Sequence, residues 1–184
     1  MSKNELRFEK LLARYCAPVL KHQKAGNMFH IASDEIYNLN DVIRSYNSIF
    51  NRKGIYFKLL LSECKRITVF VYDYKLLSSI LKKKDVICFL SNYGYAGKTI
   101  DDYFFHLEKR LHLCAYPHEI GIFLGYPLKD IEGFIDKKHC KLCGYYRVYH
   151  NVEKAKKTFA LYDYCLKELE KQMQFGYSLK QIII

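Results

Sequence analysis

Residues 55–72 read IYFKLLLSECKRITVFVY, and this stretch decides the fold. It contains two runs rich in branched and aromatic residues, 55–61 and 66–72, joined by the polar link Ser62-Glu63-Cys64-Lys65. Runs of this composition are typical of strands, and a short polar link between two strands is typical of a hairpin. The stretch therefore predicts a pair of antiparallel strands.

Helical patterns lie on both sides of this hairpin. Apolar residues recur every three to four positions, the spacing of one helix face, in the segments 6–19, 36–50 and 152–173. Shorter helices are predicted at 74–82, 85–92, 99–111 and 131–135, and a third strand at 144–150. The chain is thus predicted to be one compact α+β domain, 1–184, in which helices cover a small, mainly antiparallel sheet of about three strands.

Four boundaries of these elements follow from residues that begin or end helices. Because the residue before a proline avoids the α region, Pro18 predicts a break at Ala17 and a new helical turn beyond it. Gly26-Asn27 is expected to close that turn, and Ser33-Asp34-Glu35 is expected to begin the next helix. Thr99 and Asp102 resemble a capping box in which Asp replaces the usual Glu.

The composition indicates an ordered and basic protein. Of its 184 residues 50% are apolar, and 30 basic residues against 19 acidic ones give a net charge of +11. Such a positive field favours anionic partners, nucleic acid among them, although the scattered positions of the basic residues fit a surplus of surface lysine equally well. No apolar run is long enough for a membrane span, so no membrane insertion is expected.

Cysteine usage and the N-terminal residues indicate a compartment. The seven cysteines are an odd number and are widely spread. The first residues show a charged helical pattern, not the basic and then apolar regions of a signal peptide. Free thiols in a reducing compartment, and hence a cytoplasmic location, are expected.

Three segments of the chain together resemble one family. Residues 117–135 read PHEIGIFLGYPLKDIEGFI, CAPVL at 16–20 precedes KAGNMF at 24–29, and residues 143–149 read CGYYRVY. They resemble the domain-of-unknown-function family 3793, an uncharacterised bacterial family, and the resemblance covers nearly the whole chain. That family usually has Trp at the position of Tyr146 and Lys at that of Arg147. The resemblance implies positions for a site but no established activity.

Cys16, His118 and Glu119 are the candidate catalytic residues. A helix that begins after Cys16 would lower the pKa of its thiol and favour a nucleophile or a metal ligand, whereas a buried, inert cysteine is the alternative. His118 fits a general base or a metal ligand, and Glu119, Asp130 and Asn27 are the alternatives for a third, orienting group. Alternatively, Glu119 caps a helix that begins at Pro117, and His118 bonds a neighbouring loop.

Candidate ligand-binding residues lie in the same segments: Lys24, Asn27, Tyr126, Asp130, Cys143, Tyr145 and Arg147. Alternation along the predicted strand 144–150 places Tyr145, Arg147 and Tyr149 on one face. Such a face stacks bases and pairs phosphates, or simply faces solvent. No recognised nucleic-acid motif accompanies it. The glycines of 121–125 are not those of a phosphate loop, and Gly125 is expected to end a helix.

A zinc site at Cys140-Lys141-Leu142-Cys143 is not adopted. The predicted strand carries His150 away from the two cysteines, and a structural zinc site normally needs a second well-spaced pair. No metal ligands are therefore assigned, and the cofactor stays open.

Two classes of function remain. In the first, Cys16, His118 and Glu119, with Cys143 nearby, form a pocket for thiol-dependent chemistry or for a metal or metallocofactor. In the second, the protein is a basic binding module for nucleic acid or another anionic partner, without catalysis. A purely structural use of these residues is the third interpretation. We prefer the first class, because the distinctive residues are Cys, His and Glu.

Overall fold

The computed structural model describes residues 3–63, 66–113 and 116–183, with no description of the side chains at 61–63. The described chain forms two compact units. The first contains the chain up to Lys75 and the chain from Leu161 onward, and the second is Leu76–Ala160. The organisation as one domain stays a prediction.

The elements follow one another with short connections. The helices are α1 (Lys3–Leu20), α2 (Leu39–Phe50), α3 (Tyr74–Leu81), α4 (Lys84–Ser91), α5 (Ile100–Leu113), α6 (Ile120–Phe123), α7 (Leu128–Ile135), α8 (Val152–Gln174) and α9 (Leu179–Ile183). The strands are β1 (Gly26–Ala32), β2 (Ile55–Glu63), β3 (Arg66–Asp73), β4 (Leu142–Cys143) and β5 (Arg147–Val148). Among the described residues, no helix has both the length and the apolar character needed to cross a membrane.

The sheet of the first unit is antiparallel, with the strand order β1-β3-β2. The predicted pair of strands is confirmed as β2 and β3, which are in register from Ile55 opposite Asp73 to Glu63 opposite Arg66, with a bulge between Leu59 and Ser62. Cys64 and Lys65 of the predicted link lie outside the described residues. The α+β class and the small antiparallel sheet are confirmed.

The core of the first unit joins this sheet to α1 and α2. Phe8 of α1 is fully buried and meets Tyr46 of α2 edge to face, with 4.9 Å between the ring centroids. Burying an aromatic side chain of this size contributes about 2–3 kcal/mol. Glu9, also buried, accepts hydrogen bonds from the Tyr46 hydroxyl (3.0 Å) and from the Leu179 N–H (3.0 Å), so its carboxylate does not remain unpaired.

The predicted break at Ala17 is wrong, because α1 continues through Pro18 to Leu20. Pro18 lies in the last turn, where the missing N–H removes only one hydrogen bond of the helix. The burial of one face of α1, including Leu12 and Cys16, offsets that loss.

The end of α1 leads directly into a strand that the sequence did not predict. His22 adopts a φ of 57°, and the Gln23 N–H donates to the Pro18 carbonyl (2.8 Å), which is the geometry that ends many helices. Gly26-Asn27 then begins β1 and closes no helical turn. The prediction that Ser33-Asp34-Glu35 begins a helix is also wrong, because α2 starts at Leu39, after turns.

In the second unit, the capping box of α5 is confirmed. The Asp102 N–H donates to Thr99 Oγ1 (3.2 Å), and the Thr99 N–H donates to Asp102 Oδ2 (2.9 Å). The hydrogen bonds that Thr99 and then the Lys98 N–H (3.0 Å) donate to the Asp102 carboxylate hold its pKa below the usual range. A shorter Asp side chain therefore serves the role that Glu usually has.

The predicted helix end at Gly125 is confirmed. Gly125 has a φ of 76°, its N–H donates to the Ile122 carbonyl (3.0 Å), and the Tyr126 N–H donates to the Gly121 carbonyl (2.9 Å). This pair of bonds ends α6 and turns the chain into α7. The predicted strand 144–150 is mostly wrong: only Arg147–Val148 pairs, with Leu142–Cys143.

Candidate functional site

A cavity of about 370 Å³ lies within the second unit. The segment before α6, α6 with the turn after it, α7 and the segment around β5 supply its walls. The lining residues are Tyr116, His118, Ile120, Gly121, Leu124, Tyr126, Asp130, Ile131, Phe134, Tyr146 and Arg147. Its volume and its mixture of apolar walls with a few polar groups are typical of small-molecule sites.

Four predicted site residues, His118, Tyr126, Asp130 and Arg147, line this one cavity. The turn at Gly125, which ends α6, places Tyr126 and Asp130 beside the residues of α6. A Cβ at Gly121 would stand 2.9 Å from Ile131 Cγ1, so α6 and α7 pack closely there. The structure thus joins residues that are up to 29 positions apart in the sequence.

Asp130 is the buried charge of the cavity, with a relative exposure of 5%. It stands in the first turn of α7, where a carboxylate is favoured by the helix dipole. Its Oδ1 atom accepts hydrogen bonds from the backbone N–H groups of Tyr149 (2.7 Å) and His150 (2.9 Å). Asp130 therefore ties α7 to the segment that follows β5.

The exposed end of the cavity carries a cation and an imidazole beside one ring. The guanidinium carbon of Arg147 lies 5.7 Å from the centroid of the Phe134 ring, and the His118 ring meets the same ring edge to face at 5.1 Å. An arginine held over an aromatic face keeps its N–H groups available for an anion. Phe134 thus positions both polar side chains.

Three tyrosines complete the walls with neutral hydroxyl groups. Burial, with the nearby Tyr116 and Tyr146, raises the pKa of Tyr126 to about 12. Burial also raises the pKa of Tyr116, and burial followed by the charge of Asp130 raises that of Tyr146. The rings of Tyr126 and Tyr146 pack against each other in a tilted arrangement with 4.9 Å between their centroids, and the Tyr126 hydroxyl donates to the Tyr145 carbonyl (3.3 Å). These phenols remain protonated near pH 7.

Glu119 has a different environment from His118, although the two are adjacent in sequence. Its carboxylate is fully buried and forms no cap on α6. It accepts a hydrogen bond from Arg110 Nε (2.7 Å) and a longer one from the Tyr95 hydroxyl (3.4 Å). The predicted capping alternative is therefore wrong. The Arg110 partner shows that Glu119 fixes the position of the His118 segment relative to α5.

Cys16, Lys24 and Asn27 lie together in the first unit. Cys16 is fully buried near the C-terminal end of α1, so the predicted helix N-terminus beside its thiol is wrong. Burial raises the pKa of the thiol to about 12, with Lys24 opposing that rise. Lys24 is itself buried, donates to Asn27 Oδ1 (2.8 Å), and has a pKa lowered by burial to about 8. Asn27 in turn donates to the Tyr15 carbonyl.

A site shared by Cys16 and His118 stays a prediction, because these residues belong to different units. The burial of Cys16 and the rise in its pKa speak against an activated thiolate. Cys143 is exposed in β4, where it pairs with Arg147, and Tyr145 packs against Phe159 at 5.6 Å. Within the described ranges, no three His, Cys, Asp or Glu residues are grouped so that they could hold a metal ion.

Phe134 and Tyr146 are two of the lining residues that the sequence did not predict. Phe134 stands four positions after Asp130 on α7, and this spacing on one helix face was the available signal. Tyr146 was predicted to lie on the face opposite Arg147. That alternation is wrong because β5 contains only Arg147 and Val148, so Tyr146 lines the cavity beside Arg147, whereas Tyr149 is buried.

Comparison with known proteins identifies the family. The family model described as "Protein of unknown function (DUF3793)" matches residues 12–183, and the chain belongs to that family. Neither the curated proteins nor the solved structures include a match to this chain.

Proposed function

We propose that the cavity of the second unit binds a small aromatic ligand that carries an anionic group. The observation that carries this proposal is that His118, Tyr126, Asp130 and Arg147 line one cavity of about 370 Å³. All four residues lie in two of the three segments on which the family resemblance rests.

The shape and walls of the cavity favour a flat ligand. Aromatic rings from Tyr126, Phe134 and Tyr146 meet aliphatic side chains from Leu124 and Ile131 around it. Aromatic pairs prefer stacked or edge-to-face contacts, and a bound ring adds to such an arrangement with about 0.5–1.5 kcal/mol for each good contact. A planar apolar body therefore fits these walls.

The charge at the exposed end favours an anion. Arg147 presents a planar guanidinium that is held over Phe134, and this group pairs carboxylates and phosphates with two parallel hydrogen bonds. The net charge of +11 adds a general attraction for anions. The proposal is one of binding, without a chemical step, since the described lining residues include no thiol.

Ligand-observed NMR tests the proposal with benzoate, naphthoate and indole acetate as probes. Saturation transfer from the wild-type chain to at least one probe is expected. Ile131→Phe fills the cavity and should abolish that transfer. Ile87→Phe, at an exposed position of α4, is the matched control and should retain it. Absence of transfer to all three probes, or transfer that survives Ile131→Phe, would contradict the proposal.

A further inference from the structure

One oxygen of the Asp130 carboxylate is left for a ligand. Both backbone hydrogen bonds to Asp130, from Tyr149 and from His150, use Oδ1. Among the described residues, none donates to Oδ2, whereas every fully enclosed side-chain nitrogen or oxygen has a partner. Oδ2 is therefore not enclosed by protein, and Asp130 is one of the residues that line the cavity.

A carboxylate oxygen in such surroundings favours a hydrogen-bond donor. Asp130 has a relative exposure of only 5%. A carboxylate oxygen that is removed from bulk water costs free energy until a hydrogen-bond donor pairs with it. Hydrogen bonds in which the acceptor is charged are shorter and stronger than neutral ones. A ligand with an N–H group at this position gains that interaction, whereas a ligand with only a methyl group or a carboxylate there does not.

The positive charge of the cavity, on Arg147, does not pair with the Asp130 carboxylate. Arg147 packs over Phe134 and forms no ion pair with Asp130 or with any other described carboxylate. The cavity thus has a buried acceptor at Asp130 and an exposed cation at Arg147. Two polar ends of opposite character require a ligand whose own ends are complementary.

We infer that the ligand is an aromatic or heteroaromatic compound with an N–H donor at one end and an anionic group at the other. The N–H group donates to Oδ2 of Asp130, and the anion pairs with Arg147. This inference rests on the proposed function, because it names the class of ligand for the same cavity.

Matched probes separate the inference from the proposed function. 4-Aminobenzoate and 4-methylbenzoate have nearly the same size and the same carboxylate, but only the first has an N–H donor. Isothermal titration of the full chain should show that the amino compound binds about tenfold more tightly or better, the effect of one hydrogen bond to a charged group. Equal affinities would overturn the inference and leave the proposed function standing. If neither compound binds, both the inference and the proposed function fail.

An isosteric variant tests the role of Asp130 itself. Asp130→Asn retains an oxygen for the N–H groups of Tyr149 and His150 and directs an NH₂ group, a donor, into the cavity. The preference for the amino compound should then disappear or reverse. Asp101→Asn, at an exposed position of α5, should keep the wild-type preference. A folded Asp130→Asn chain that still prefers the amino compound would overturn the inference. If circular dichroism shows that this variant does not fold, the probe pair on the wild-type chain decides.

Discussion

Replacing Lys24 by Met should change how the stability of the protein depends on pH. Lys24 has a relative exposure of 4%, and its ammonium donates to Asn27 Oδ1 at 2.8 Å. Burial lowers its pKa from 10.5 to about 8, with the nearby Cys16 opposing that shift. Met has a similar length and volume but carries no titrating group, so Lys24→Met isolates the contribution of this proton.

The direction of the change in stability follows from how strongly Lys24 binds its proton in the folded and in the unfolded chain. Between about pH 8 and pH 10.5, the unfolded chain retains the Lys24 proton that the folded chain has released. Stability rises with pH wherever the unfolded state binds more protons. A difference of one pKa unit corresponds to about 1.4 kcal/mol of stability, so the difference between the folded and unfolded pKa of Lys24 corresponds to about 3 kcal/mol. The free energy of unfolding of the wild type, relative to that of Lys24→Met, should therefore increase by about 3 kcal/mol across this window.

Cys16 contributes in the opposite direction at higher pH. Burial raises the pKa of its thiol from 9.0 to about 12, so the folded chain keeps a proton that the unfolded chain loses in that range. The stability that this group contributes is therefore lost as pH rises from about 9 to about 12. Up to about pH 10.5 the buried thiol stays protonated in the folded wild type, and removing Lys24, which opposes the rise in its pKa, keeps it protonated in Lys24→Met as well. Within this window, the contribution of Cys16 therefore cancels in the difference between the two chains.

Urea denaturation followed by far-UV circular dichroism at a series of pH values measures this difference, since the chain has no tryptophan to follow. Lys10→Met, at an exposed position of α1, is the matched control. The reasoning is refuted if the difference between wild type and Lys24→Met depends on pH no more than the difference between wild type and Lys10→Met.

Three other predictions concern the turn, the buried ion pair and the buried thiol. Gly125→Ala forces a side chain onto a φ of 76° and should lower the free energy of unfolding by about 1 kcal/mol, measured by urea denaturation. Glu119→Gln removes the charge that pairs with Arg110, which is 28% exposed, and should cost about 1–3 kcal/mol; an unchanged denaturation midpoint would contradict the assigned pairing. In the native chain at pH 8, iodoacetamide should alkylate the exposed Cys88 well before the buried Cys16, as read by peptide mass spectrometry. Earlier modification of Cys16 would mean that its thiol is accessible.

Local patterns were sufficient for much of the fold. The paired strands, the helix end at Gly125 and the capping box of Thr99 all depend on neighbouring residues, so the sequence predicts them directly. The strand β1 was missed because Gly26-Asn27 resembles a turn, and only pairing with β3 makes it a strand. Propensity is a weak guide where tertiary pairing decides.

The candidate site was predictable as a set of residues but not as an arrangement. His118, Tyr126 and Asp130 could be selected for their chemistry, yet their convergence with Arg147 depends on how α7 packs beside β5. The activation expected for Cys16 depended on a helix break, and the continuous α1 removes its physical basis. Whether α1 breaks at Ala17 thus decides whether the thiol of Cys16 is expected to be reactive or inert.

The most direct test of the binding site is a set of intermolecular NOEs between 4-aminobenzoate and the isotope-labelled full chain. Contacts are predicted between the ring protons of the compound and the side chains of Ile131 and Tyr146, which line the cavity. The protons beside the amino group should lie nearer to Asp130, and those beside the carboxylate nearer to Arg147. NOEs only to residues outside the cavity, such as Phe105 and Lys109 of α5, would contradict the proposed site.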